Sequence, residues 1–412
     1  MNFPLTSARD VREGFLLGRE QVLIDLRTEH DFAQAHPLFA AQLPLALIEC
    51  EAPVRIPRLA TPVILYGEDE RAAFAGAAGF VAMGYSAVSV LEGGIAGWET
   101  AGFELFQDVN SYSKAFGELV EARRHTPWLA APDVAQLIAD GADIAVMDAR
   151  RFDEYATMSI PGGTSVPGAE LVLRAASIAP DPATTIIVNC AGRTRSIIGT
   201  QSLINAGVPN PVRALRNGTI GWSLDGLDLD TGAARRFPEV DGESARIARE
   251  RARAVSYRAG VRHIDTSALT SLQQDPDRTL YRFDVRTPEE HIAGHPAGFM
   301  NAPGGQLVQE IDSYAPVRGA RIVLADDRGV RADMTASWLA QLRWEVFVLD
   351  GGFDAALETG LDALAKRGPD GRYRRPYEGT DNPAQAMQAY LDWEYGLVAQ
   401  LERDRTHGFF VI

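Results

Sequence analysis

One cysteine in the 412-residue sequence sits where a thiol could act as a nucleophile. Cys190 opens the segment Cys190-Ala191-Gly192-Arg193-Thr194-Arg195-Ser196, directly after the apolar run TIIVN and before a stretch of helical character. A tight loop between a strand end and a helix N-terminus turns successive backbone N–H groups inward, and the helix adds the positive end of its dipole. Arg193 and Arg195 bring two formal charges into the same loop. Each effect prefers the ionised sulfur and predicts a thiol pKa below the free value of about 8.5. The other cysteine, Cys50 in ALIECEAPVRI, has no such setting and is expected to be a small buried hydrophobe. The seven histidines show no ligand spacing, so neither a metal nor a cofactor is expected.

The elements that must position this loop occur three times. VLIDLRTEHDF, AVMDARRFDEY and YRFDVRTPEEH each read as a strand, an Asp-x-Arg and an acidic helix start. A second set, PVILYGEDERAAFAG, TIIVNCAGRTRSIIG and RIVLADDRGVRADMT, reads as strand, loop and helix. A third, LEGGIAGWETAG, LRNGTIGWSLDG and LDGGFDAALETG, aligns without gaps. Asp25, Asp148 and Asp284 each precede their loop start, Gly67, Cys190 or Asp326, by 42 residues. Seventeen residues past each loop start come Gly84, Gly207 and Arg343, where the loop's helix should end. This is triplication of a unit of about 110 residues, the period at which a domain repeats rather than a solenoid.

Short apolar strands alternating with amphipathic helices imply an α/β fold with a mainly parallel sheet covered on both faces. Loops at the carboxyl ends of such strands carry the ligand sites. The repeats fall at 1–108, 128–235 and 261–362. Polar helical linkers occupy 109–127 and 236–260, and an extension covers 363–412. The first linker has Asn110 or Ser111 as its cap, with Phe116, Leu119 and Val120 on one face. The second, DGESARIARERARAVSYR, suits a solvated or bridging helix. A basic Pro/Gly-broken stretch, 365–379, leads to a final helix over 383–403, capped by Asp381 or Asn382. Its stripe Met387, Leu391, Val398 and Leu401 is expected to dock onto the third repeat.

The Asp-x-Arg strand, the CAGRTRS loop and the GG-x3-W-x3-G ending resemble rhodanese-type sulfurtransferases, in three tandem rhodanese-like domains. IPGGTSVP and GHPAGFMNAP resemble degenerate forms of that family's GH-x-PGA-x-x-x-P segment. The resemblance implies that Cys190 takes the outer sulfur of a donor as Cys-S-SH and passes it to a thiol or cyanide. On that reading the amides of Ala191, Gly192, Arg193, Thr194, Arg195 and Ser196 hold the charged sulfur. Arg193 and Arg195 attract a small anionic donor, thiosulfate before 3-mercaptopyruvate. The first and third domains, which carry Gly67-Glu68-Asp69 and Asp326-Asp327-Arg328 in place of the thiol, resemble silent variants. Asp148 and Arg150 recur in all three repeats and are expected to be an ion pair bracing the loop. Trp98 and Trp222 recur likewise and are expected in the core. The sequence departs from the family in having Ser159 where the third repeat keeps His295. It also has Arg193 where Gly is the commoner fourth residue.

Composition narrows the alternatives. Forty Lys+Arg against 55 Asp+Glu give a net charge of −15, which argues against nucleic acid or an anionic membrane as partner. Ala72 to Leu91 holds no charge, but Gly76, Gly79 and Gly84 break it into a helix and a strand rather than a membrane span. Two cysteines and a charged N-terminus fit a cytoplasmic protein. A Cys-dependent phosphatase is the first rival, although that chemistry uses Cys, five residues, then Arg, and here only four separate Cys190 from Arg195. A non-enzymatic sulfur-carrier scaffold is the second. A homo-oligomer or a sulfur-relay protein partner stays open.

Overall fold

The apolar runs become the centres of three five-stranded sheets, in a computed structural model that describes residues 3–354, 357–360 and 377–412. In the first repeat the order is Leu5–Thr6, Val88–Leu91, Val63–Tyr66, Val22–Asp25 and Ala40–Gln42, with every pairing parallel. The second and third sheets repeat this order strand for strand. Val22–Asp25 and Val63–Tyr66 are buried throughout, which is why they carry no polar alternation. The stretch 72–91 divides as its glycines suggest, into helix Glu70–Ala82 and strand Val88–Leu91. Among the described residues no helix is long and apolar enough to cross a membrane.

All three loop helices end on a left-handed residue: Gly84 (φ 98°), Gly207 (φ 66°) and Arg343 (φ 69°). Only the third carries a side chain, whose Cβ crowds the backbone there at a cost of about 1–2 kcal/mol. Arg343→Gly should therefore raise the midpoint of chemical denaturation, by roughly 1 kcal/mol of stability. An unchanged or lower midpoint would show that contacts of the Arg343 side chain outweigh the strain.

Helix Ser111–Arg124, expected as a polar linker, is instead a central pillar. Every residue from Ser111 to Val120 is buried. It packs against both the middle repeat's loop helix Thr194–Asn205 and the C-terminal helix Pro383–Asp404. Phe39 of the first repeat, Phe116 of the pillar, Phe283 and Trp338 of the third repeat, and Leu397 share one apolar core. The second linker helix, Gly242–Arg258, is capped by Asp241 and bridges repeats two and three. Its Ala245, Ala252 and Val255 pack with Val172 on one side and with Val330 and Met334 on the other.

The C-terminal helix begins as expected, with Asn382 accepting from the Gln385 amide and Pro383 in the first turn. Its docking differs from expectation. It lies on the pillar and on helix Gly218–Leu224 of the middle repeat, with Tyr390 and Leu391 against Ile220. It hooks the first repeat through Gln400 on the Leu105 carbonyl (2.9 Å) and Arg403 on Glu104 (2.8 Å). The third repeat's loop helix Arg331–Gln341 is already covered by Gly242–Arg258. Of the described C-terminal segment, the tail beyond the helix bonds to it, at Gln341. The expected 362/363 boundary and most of the stretch 365–379 lie outside the described residues.

Cys50 is also placed against expectation: it is exposed. Helix Ile48–Arg55 buries Ile48, Ala52 and Arg55, an i, i+4, i+7 stripe that leaves Cys50 off the buried face.

Candidate active site

Register brings the site together. Asn189, the last residue of strand Thr185–Asn189, lies opposite Asp148 at the end of Ile144–Asp148, so Cys190 leaves the sheet beside that carboxylate. The Asp-x-Arg folds back on itself in every repeat, with closest contacts of 2.6 Å for Arg27–Asp25, 2.6 Å for Arg150–Asp148 and 2.7 Å for Arg286–Asp284. Each arginine also donates to a carbonyl, of Ala35, Met158 or Gly294. The brace is shared by repeats with and without the thiol, so it belongs to the fold that all three have in common. Trp98 and Trp222 are both buried core residues.

The Cys190 side chain is only 2% exposed. Its Sγ lies 3.6 Å from Ser196 Oγ, whose hydroxyl donates to the Arg193 carbonyl at 2.7 Å. The Cys190 and Ala191 carbonyls are turned away, accepting from the Thr219 and Ile220 amides, both at 2.9 Å. The amides of Gly192, Thr194 and Ser196, at and before the first turn of helix Thr194–Asn205, have no acceptor among the described residues. Two glycines make this packing fit. A Cβ on Gly218 (φ 54°) would lie 2.2 Å from the Cys190 carbonyl oxygen, and one on Gly117 of the pillar 2.9 Å from Thr194 Cγ2.

Both loop arginines are placed differently from expectation, because carboxylates already hold them. Arg193 spends all five of its N–H groups. Nε and Nη2 grip Glu118 at 2.7 and 2.8 Å, Nη2 also meets Glu121, and Nη1 reaches Tyr395 Oη (2.9 Å) and Asn217 Oδ1 (3.2 Å). The Tyr395 ring stacks on the guanidinium 4.0 Å away. Arg195 makes a two-pronged pair with Glu154, at 2.6 and 2.8 Å. Neither presents a bare cation to a donor. Glu154 and Asn217 belong to the middle repeat itself, while Glu118 and Glu121 come from the pillar and Tyr395 from the C-terminal helix, whose Tyr390 and Glu394 also close over Gly192. Nothing near Cys190 in the chain announces the partners outside the repeat.

The third repeat shows how such a loop holds an anion. Asp326 stands in the place of Cys190, and its carboxylate accepts from the amides of Arg328, Val330 and Arg331 at 3.1, 2.8 and 2.7 Å. Burial alone would push this carboxyl up. Arg331 and the amides overcome that and hold it at about 2. The thiol-less loop is thus filled by its own side chain. Its path differs at the fourth residue, where Gly329 has φ 67° against −119° for Arg193. In the first repeat, Asp69 caps helix Glu70–Ala82 by accepting from the Ala72 amide at 2.7 Å.

Arg193 does not fully offset the burial of its carboxyl partner. Burial pushes Glu118 up to about 7 despite its pairing with Arg193, and Glu394 and Glu121 add to the rise. Burial likewise takes Glu310 to about 7 and Asp312 to about 6, and it depresses His36 to about 4. A carboxyl whose pKa rises on folding binds its proton more tightly in the folded state, so it costs stability as pH climbs through that window. His36 acts oppositely, but only below its unfolded value of about 6.5. Between pH 6.5 and 8 the two glutamates therefore act unopposed by His36. Calorimetry should give a lower Tm at pH 8 than at pH 6.5, and a rise across that interval would contradict the assignment.

Comparison with known proteins agrees with this architecture. The rhodanese-like domain model matches residues 9–101, 130–225 and 266–359. A crystal structure of a thiosulfate sulfurtransferase from Pseudomonas aeruginosa is 47% identical, covering 99% of this chain and 100% of that one, with a TM-score of 0.96. The BH2092 protein from Bacillus halodurans is 22% identical over 27% of this chain and 85% of that one, with a TM-score of 0.24, and bears on nothing further. Among curated proteins none matches. Three parallel sheets of one strand order, a family match in each repeat and a relative alike from end to end leave one conclusion: the chain belongs to the rhodanese family.

Proposed function

We propose that the protein is a thiosulfate sulfurtransferase working through a persulfide on Cys190, in the middle domain, residues 128–235. The observation that carries this reading is the setting of Cys190: a thiol at a parallel strand's carboxyl end, against amides without acceptors at the start of a helix. Those amides stabilise negative charge on the sulfur, and Ser196 can rotate its hydroxyl from the Arg193 carbonyl toward it. The thiolate attacks the outer sulfur of thiosulfate, a new S–S bond forms, the old one breaks, and sulfite leaves with the electron pair. Cyanide or a thiolate then attacks the outer sulfur of the persulfide. The Cys190 thiolate departs with the bonding electrons, and no outside oxidant is needed. The whole-length relative, named for thiosulfate, supports that donor over 3-mercaptopyruvate. The phosphatase alternative has no support here, since the loop's arginines are bound to carboxylates rather than offered to a phosphoryl group. Two free cysteines fit a cytoplasmic location.

Intact-protein mass spectrometry tests the reading. Thiosulfate should add one sulfur to the protein, and cyanide should remove it with release of thiocyanate. No gain with either thiosulfate or 3-mercaptopyruvate would reject it.

A further inference from the structure

With Arg193 and Arg195 both held by carboxylates, recognition of an anionic donor needs another cation. Arg216 lies on the turn between strand Val212–Leu215 and helix Gly218–Leu224, the same turn whose Gly218 and Thr219 abut the Cys190 carbonyl. It is exposed, and among the described residues no carboxylate lies within ion-pairing distance of it. Its guanidinium sits 4.3 Å from the centre of the Trp128 ring and 5.9 Å from that of Tyr395. Both rings are partly open to solvent, at 43% and 40% exposure.

The stack connects inward. Arg216 Nε donates to Tyr395 Oη at 3.3 Å, the same oxygen that receives Arg193 Nη1 at 2.9 Å and itself donates to Asn217 Oδ1 at 2.9 Å. Trp128, Arg216, Tyr395 and Arg193 thus form an alternating file of ring and cation from the surface to the Cys190 loop. In such a file the rings hold the guanidinium by attraction to their faces without cancelling its charge. The gap-free alignment of the three repeats makes the same point: Arg216 matches Glu92 in the first and Asp350 in the third. The cation occurs only in the repeat that has the thiol.

We propose that Arg216 is the specificity-determining residue that captures the anionic donor at the entrance to Cys190, with Trp128 and Tyr395 as its positioning residues. This rests on the sulfurtransferase reading above for the identity of the donor, but not for the presence of an anion-selecting entrance. The charge acts as a lure of short range, so it works on the capture of a dianion and is weakened by salt.

The test uses the full-length protein and the variants Arg216→Lys, Arg216→Ala and Arg216→Glu. KM for thiosulfate should rise about tenfold in Arg216→Ala and further in Arg216→Glu, more than kcat falls, as for loss of a binding charge. Arg216→Lys should recover most of the loss. The decline of kcat/KM with ionic strength should be shallower in Arg216→Ala. A second arm follows alkylation of Cys190 by iodoacetate, an anion, and by neutral iodoacetamide. The ratio of the two rates should fall severalfold from wild type to Ala and again to Glu. Equal KM values and equal alkylation ratios across the series would overturn the proposal. A shifted alkylation ratio in a protein that takes sulfur from no donor would reject sulfur transfer while leaving the anion-selecting entrance. A Cys190 that neither reagent labels and no donor sulfurates would reject both.

Discussion

Cys190→Ser should leave a folded protein that takes up no sulfur and turns over no thiosulfate. The side chain is buried beside Ser196, and a hydroxyl fits the space of a thiol, so the Tm should move by no more than about 1 kcal/mol of stability allows. Activity is another matter. A hydroxyl at this place is not ionised at neutral pH, and the covalent carrier is gone with the sulfur. The other cysteine cannot substitute: Cys50 lies exposed on a helix of the first repeat, outside any anion-holding loop. The loss should be at least a thousandfold, of the size seen when a covalent nucleophile is removed. Residual sulfur uptake by the variant near the wild-type level would move the chemistry away from Cys190.

Arg331→Ala should be the most damaging substitution for stability. Arg331 is fully buried, and its guanidinium meets Asp326 (3.1 Å), Asp327 (2.6 Å), Glu290 (2.6 Å) and, across to the middle repeat, Glu170 (2.8 Å). Its removal leaves four carboxylates facing one another around an empty space. Breaking a buried ion pair on one side costs about 3–5 kcal/mol, because the remaining charge is neither paired nor hydrated. Chemical denaturation should register a loss of this order. Adding Asp326→Asn should recover part of it by removing one stranded charge. A loss below about 1 kcal/mol would mean that water reaches the cluster. The thiol-less third loop thus clamps two repeats together through Asp326 and Arg331, the counterparts of Cys190 and Arg195.

The three repeats, their parallel sheets and the place of Cys190 at a strand end were legible because they depend on what is near in the chain. A parallel strand run, a 42-residue interval and a cysteine at a strand end are local features. What Arg193 does with its charge was not legible. Its partners Glu118 and Tyr395 lie 75 and 202 residues away, on helices outside the repeat whose docking depends on the whole assembly. The C-terminal helix was misplaced for a related reason: its apolar stripe says that it docks, while the choice of surface depends on which faces other helices have covered. Cys50 was a different error. The buried i, i+4, i+7 stripe of Ile48, Ala52 and Arg55 was already in the sequence and pointed that thiol outward. Arg216 opposite Glu92 and Asp350 was likewise in plain view.

The pillar helix makes the middle unit dependent on its neighbours. Excised at 128 and 235, that unit would forfeit Glu118, Glu121 and Tyr395 together, and four of the five Arg193 donors would turn to water beside the Cys190 loop, with only the bond to Asn217 kept. The pillar and the C-terminal helix, both outside it, supply the counter-charges and the roof over the Cys190 loop, so the setting of that thiol is a property of the undivided polypeptide.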